Sequence, residues 1–180
     1  MARTTAQWWD DVSTNDDLFI DWLKKQYHGE RTAAMRIAHM CSLIPMFDGK
    51  YEWRARILSA IVHDESKHAK WVGELLHTRN IKPEMLEKDE RYWKEVLPTM
   101  GDKTFEYLCA IGHLAEVMRL ERIKLLASDS RFTDVAEVFS KILPEEEFHA
   151  ALFGIMSTPE DIAEATKYHL NGMNALGLEP

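Results

Sequence analysis

Glu and His recur in this sequence at a spacing that can hold metal. Glu65-x-x-His68 and Glu146-x-x-His149 each place a carboxylate and an imidazole three residues apart, on one face of a helix. A lone Glu precedes each pair, Glu30 before the first and Glu116 before the second. The two sets supply four carboxylates and two imidazoles, the ligand set of a two-metal carboxylate site inside a four-helix bundle. Carboxylate-rich ligation suits hard iron or manganese ions, and imidazole adds affinity for iron.

Glu-x-x-His alone is a weak signal, and the chain holds a third match, Glu74-x-x-His77. It begins nine residues beyond Glu65, about 900° around a helix, so it faces away from the first pair and is expected in solvent. Height along a hairpin separates the remaining candidates. Residues equidistant from the turn of an antiparallel pair lie level. Glu30 and Glu65 are centred on residues 47–48, and Glu116 and Glu146 on residue 131. Glu121 is the rival carboxylate on the third long helix, displaced from Glu116 by five residues, or roughly 7–8 Å. Glu116 is the better match.

These residues need long helices to carry them, and helical spacing dominates the chain. After a short Trp8-Trp9 segment, Ser13 or Thr14 reads as an N-cap, and a helix runs to about Ile44, stopped by Pro45 and Gly49. A second runs from about Lys50 to Arg79, with Asn80 as its left-handed C-terminal residue. Pro83 opens a short helix ending near Leu97-Pro98. The third long helix spans about Asp102 to Ala127 and the fourth about Thr133 to Met156. A last helix starts at Thr158-Pro159 and ends near Gly177. Short turns join helices one to two and three to four, while some twenty residues separate the two hairpins, enough to cross the length of a bundle. No linker composition divides residues 1–180, which read as a single all-α domain. Pro144 stands inside the fourth helix, two residues before Glu146. It is expected to kink that helix or begin a new segment, either displacing the second ligand pair or opening a coordination position.

The four Glu lie on stripes otherwise made of Leu, Ile, Val, Ala and Cys. Isolated carboxylates there would cost several kcal/mol each. Two divalent cations would balance them, with two neutral imidazoles completing the shell. Composition excludes other classes. A hydrophobic fraction of 46% and a charged fraction of 29% are those of a globular chain. The formal charge of −8, with no basic cluster, argues against a nucleic-acid partner. Cys41 and Cys109 form no C-x-x-C, so neither a disulfide framework nor a rubredoxin-like iron site is supported. No apolar run approaches the roughly 18 residues of a membrane span, and there is no leader at the N-terminus, so the protein reads as cytoplasmic.

Asp64-Glu65-Ser66-Lys67-His68 resembles the acidic-Glu-x-basic-His box of the non-haem diiron carboxylate proteins, the ferritin-like superfamily. Glu145-Glu146-Glu147-Phe148-His149 is similar, with Phe148 where the basic residue often stands. The resemblance covers about residues 30 to 156. It implies a ferritin-like four-helix bundle of two antiparallel hairpins joined by a long crossover, with short extra helices. It also implies two iron ions, alternatively manganese or a mixed pair. Glu30, Glu65, His68, Glu116, Glu146 and His149 would be the ligands, with Glu65 and Glu146 bridging and Glu30 and Glu116 terminal. The acidic residue before each box Glu would orient the opposite imidazole, Asp64 holding His149 and Glu145 holding His68.

The function that follows is oxygen activation by a diiron oxidase or oxygenase, with dioxygen as a partner, a separate electron donor, and a homodimer as one assembly. The alternatives are a ferritin- or rubrerythrin-like ferroxidase that handles iron, and a manganese catalase-like protein. Among the other residues, Tyr27 is the aromatic expected nearest the metals. His63 is expected on the surface or beside the ligands, and His113 in the core. Trp8, Trp9 and Trp93 are expected to cover the bundle or an oligomer interface.

Overall fold

The computed structural model describes residues 3–44, 52–87, 91–96 and 103–178. These form seven α-helices and, among the described residues, no strand: α1 Thr5–Ser13, α2 Asp16–Leu43, α3 Glu52–Thr78, α4 Arg91–Val96, α5 Phe105–Ser128, α6 Thr133–Ile155 and α7 Pro159–Leu176. Helices α2, α3, α5 and α6 are the four long rods of a ferritin-like bundle, as the motif spacing predicts.

Their pairing is antiparallel. Cys41 Sγ lies 3.6 Å from the Ala55 carbonyl at one end of α2–α3, while the Tyr27 ring packs against Gly73 at the other. Along α5–α6, Gly112 meets Phe153, His113 Nδ1 lies 2.8 Å from the Ala150 carbonyl, and Ser140 donates to the Ala127 carbonyl. Numbers rise on one helix as they fall on the other, so Glu30 stands level with Glu65 and Glu116 with Glu146. Helices α3 and α6 join the hairpins, and the crossover between them carries α4, which docks on α7.

Helix ends follow local chemistry, with some shifts from the sequence reading. Asn15 caps α2 by accepting from the Leu18 amide at 3.1 Å, whereas the Ser13 and Thr14 hydroxyls turn back to the Asp10 carbonyl at the end of α1. The Trp8-Trp9 segment is itself a helix, started by a capping box of Thr4 and Gln7. Its tryptophans cover one end of the bundle: Trp9 packs against Phe19, Trp22 and Phe132, and its indole donates to Asp129 at 2.7 Å. Asn80 does adopt the left-handed conformation, at φ 57°. Pro83 does not open a helix. Residues 81–87 are irregular, consistent with the extended bias on the residue before proline, and the short helix begins only at Arg91. The expected turn at Pro45–Gly49, the helix start at Lys50 and the stop at Leu97-Pro98 lie outside the described residues.

Pro144 starts no new segment. Helix α6 is continuous from Thr133 to Ile155, with Val135, Phe139 and Ile142 fully buried before the proline and Glu146 and His149 fully buried after it. Core packing on both sides outweighs the one backbone hydrogen bond that proline removes. The second ligand pair is therefore not displaced from the core.

Helix α7 starts with Thr158 accepting from the Asp161 amide and ends at Gly177 with φ 71°. It holds α4 through a buried contact of Tyr92 Oη with His169 Nδ1 at 2.7 Å. Gly172 permits this approach, because a Cβ there would sit 2.5 Å from Tyr92 Cδ2. Alanine is the better helix former by about 1 kcal/mol. Overpacking against a buried ring costs about 1–3 kcal/mol, so Gly172→Ala should lower the urea midpoint rather than raise it. An unchanged or higher midpoint would show that α4 does not pack this closely.

Candidate metal centre

The bundle brings all six sequence-assigned residues together: Glu30 from α2, Glu65 and His68 from α3, Glu116 from α5, Glu146 and His149 from α6. None is more than 5% exposed. Ligand atoms of Glu30, Glu65, His68 and Glu146 lie within 4.8 Å of one another. His68 Nδ1 is 3.4 Å from Glu146 and 3.8 Å from Glu30. His149 Nδ1 is 3.3 Å from both Glu65 and Glu146. Glu146 thus faces both imidazoles.

The inward atoms have only ion contacts of 3.3–3.9 Å with one another and with Arg119. Glu30 Oε2, both oxygens of Glu65, both of Glu146, and Nδ1 of His68 and His149 are buried and make no hydrogen bond. Each such group forfeits roughly 1–3 kcal/mol relative to a satisfied one. A cluster of buried oxygens and imidazole nitrogens without hydrogen bonds, with Glu146 shared between the two imidazoles, fits hard divalent cations.

The outer ring nitrogens are held from behind. His68 Nε2 lies 2.8 Å from Glu145, and His149 Nε2 lies 3.3 Å from Asp64. Each carboxylate belongs to the other helix, as the motif resemblance implies, and the contact turns Nδ1 inward. Lys67 ties the two supports together, donating to Asp64 at 2.9 Å and to Glu145 at 2.7 Å. Burial opposes ionisation of Asp64, yet the Lys67 ammonium and the His149 ring hold it below its usual range. Phe148, in the position of Lys67 in the second box, is 61% exposed and supports nothing comparable.

One member of the site escaped the sequence reading. The Arg119 guanidinium lies among the carboxylates, with Nη2 2.7 Å from Glu30 and 3.3 Å from Glu146, and Nη1 3.3 Å from Glu116 and 3.9 Å from Glu65. The signal was present, because Arg119 stands three residues after Glu116 and so shares its helix face. Gln26 also donates to Glu30.

Protonation reflects this crowding. Burial, then the Glu146 charge, raises Glu65 well above the carboxylate range and Glu116 to about 8. Burial would raise Glu146 too, but Arg119 and both imidazoles hold it low. Burial would lower His149, yet the Glu146 and Glu65 carboxylates hold it up at about 10, and His68 is raised for the same reason. Without metal, the cluster stores protons.

The rejected candidates lie elsewhere. Glu74, His77 and His63 are exposed. Glu121 is exposed and accepts from the Thr5 hydroxyl at 3.1 Å. His113 is half-buried and held by the Ala150 carbonyl. Tyr27 packs among the apolar residues near Gly73, and the aromatic ring against a candidate ligand is instead Trp71, 5.9 Å from His68.

A cavity of about 780 Å³ lies between α2 and α5, and Glu116 and Arg119 form part of its wall. Ile37, Met40, Leu108, Ile111 and Phe153 line its apolar part. Glu116 and Arg119 therefore belong both to the cluster and to the wall of this partly apolar chamber.

The rubrerythrin family matches residues 43–156, and the chain belongs to that family. The curated proteins contain no match to the sequence. Among solved structures the chain is similar to a Synechococcus protein with aldehyde deformylating oxygenase activity. That likeness has a TM-score of 0.79 at 22% identity and covers 97% of this chain and 87% of the other, which establishes a shared fold.

Metal binding should displace the stored protons, so apparent affinity for Mn(II) should rise with pH across the neutral range, with proton release detected by an indicator dye. Glu65→Ala and His68→Ala should each lose metal, and Glu74→Ala and His77→Ala should not. Equal loss in both sets, measured by metal analysis, would refute the face assignment.

Proposed function

We propose that this chain is a diiron carboxylate oxidoreductase that uses dioxygen to oxidise an organic substrate held in the α2–α5 cavity. Glu30, Glu65, His68, Glu116, Glu146 and His149 would hold two iron ions. The observation that carries the reading is the junction of the buried carboxylate–imidazole cluster with an apolar chamber through Glu116 and Arg119. Rubrerythrin family membership and the fold shared with an oxygenase support it.

Two bound ferrous ions would supply two electrons to dioxygen within one site. The remaining work belongs to the chain. Asp64 and Glu145 orient the imidazoles through Nε2, and Lys67 donates to both carboxylates and holds Asp64 ionised against burial. Glu116, raised to about 8 without metal, is the carboxyl at the cavity wall. The apolar part of the wall, Ile37, Met40, Leu108, Ile111 and Phe153, would set the approach of an apolar substrate. Further electrons would come from a separate donor.

A site serving only iron oxidation or storage needs no such chamber, and this difference supplies the test. Met40→Trp fills the apolar part of the cavity from α2 at a half-buried position ten residues along the helix from Glu30. The variant should retain two irons per chain and still take up oxygen when the ferrous protein is exposed to air. It should lose uptake that depends on an added apolar substrate and reductant. If no substrate raises uptake in the unaltered protein, and it elutes as a large shell, iron handling replaces the oxygenase reading.

A further inference from the structure

The cavity wall is basic in an acidic protein. Five of its residues are Lys or Arg and two are Glu, although the formal charge of the chain is −8. Some of these cations are already engaged, Lys25 with Asp21 at 2.7 Å and Lys103 with Glu164 at 2.6 Å. Arg122 is not. It stands three residues after Arg119 on the same face of α5, half-buried at the cavity wall, and no carboxylate among the described residues pairs with it. Its guanidinium lies over the Trp8 ring at 4.9 Å, a contact that uses the face of the group and leaves its N–H donors. Burial, then the charges of Arg119 and Arg3, pulls it down to about 10. A half-buried cation beside a second cation, with no carboxylate among the described residues paired to it, can take an anion from outside the chain.

Cations stand at both ends of the chamber, but Arg36 and Lys103, at the end with Ile37 and Leu108, are engaged, Arg36 over the Trp93 ring at 4.1 Å and Lys103 with Glu164. On α5 the chamber runs from Leu108 to Leu126, about 27 Å, and on α2 from Lys25 to Leu43. Ile37 shares a packed cluster with Cys109 and Phe153, which places these three residues at one end, while Ile123 and Leu126 belong to the cluster at the other. Glu30 and Arg119 meet in the middle, and Lys25 and Arg122 lie beyond them towards the other end.

Charge balance then decides what fits. Two divalent cations would neutralise the four carboxylates on their own, leaving the Arg119 guanidinium in excess. We infer that the cavity binds an amphipathic carboxylate, its acid group held by Arg119 and Arg122 and its apolar chain directed past the carboxylate cluster towards Ile37 and Met40. The inference rests on the proposed metal site for the release of Arg119, but Arg122 requires no metal. It names a substrate class: an acid whose chain crosses the site a few carbons from the carboxyl group. It also makes ligand and metal reciprocal, each strengthening the other through Arg119.

The test is calorimetric titration of the full chain, metal-free and anaerobically loaded with Mn(II), using dodecanoate and dodecan-1-ol below their aggregation limits. Loaded protein should bind dodecanoate about tenfold or more tighter than the alcohol, as charge-assisted hydrogen bonds give. Metal-free protein should show a smaller preference. Arg122→Gln should erase most of it while leaving alcohol binding unchanged, and Arg122→Lys should restore part, with circular dichroism reporting the fold of each variant. Equal binding of acid and alcohol, or a preference that survives in both Arg119→Gln and Arg122→Gln, would overturn the inference; the second result would assign the acid group to the metal. Metal content of the same samples separates the two readings. Protein that takes up no metal but keeps an Arg122-dependent preference refutes the metal site and upholds the anion site.

Discussion

Four carboxylates sharing one buried volume are the constraint around which this structure is arranged. Glu30, Glu65 and Glu146 are fully buried and Glu116 is nearly so. Mutual repulsion and desolvation would expel them from an apolar core unless positive charge came with them. Without metal the compensation is a mixture of bound protons, two imidazoles and one guanidinium. Arg119 reaches all four carboxylates within 3.9 Å, two through Nη1 and two through Nη2, so one guanidinium spans the whole cluster.

That demand explains features which otherwise look unrelated. The imidazoles must present Nδ1 to the cluster, and Asp64 and Glu145 fix this by taking Nε2 from the opposite helix. Those two carboxylates face each other across α3 and α6 and would repel, and Lys67 bridges them. The core around the site is divided into separate apolar clusters at the ends of the bundle, one built on Trp9, Phe19 and Phe139, another on Ile37, Phe105 and Phe153. Rigidity at both ends holds four helices at the spacing the polar middle requires. It also lets α6 run through Pro144 without ending.

The carboxylate–imidazole cluster was legible in the sequence because Glu-x-x-His is a local pattern repeated. Glu-x-x-His fixes a helix face, rotation removed Glu74 and His77, and equal distance from a turn chose Glu116 over Glu121. Long helices with a 3.6-residue period made the bundle and its topology legible too. The rest depended on packing between distant segments. Helix α1 is held by Trp9 against α2 and by an indole bond to Asp129, neither visible in nine residues of weak pattern. Pro83 signalled a helix start that its own loop does not make. Arg119 was missed because a long charged side chain on a helix is ordinarily a solvated one. Only the depth of the cluster draws it inward.

The central claim is that two divalent cations take over the charge compensation that protons and Arg119 provide in the metal-free chain. Anomalous X-ray diffraction from Mn(II)-loaded crystals tests it most directly. Two peaks should appear, one bounded by Glu30, Glu65, His68 and Glu146, the other by Glu65, Glu116, Glu146 and His149, with the Arg119 guanidinium withdrawn towards the cavity. A single peak with Arg119 still bonded to Glu30 and Glu146, or no peak at full metal excess, would contradict the account.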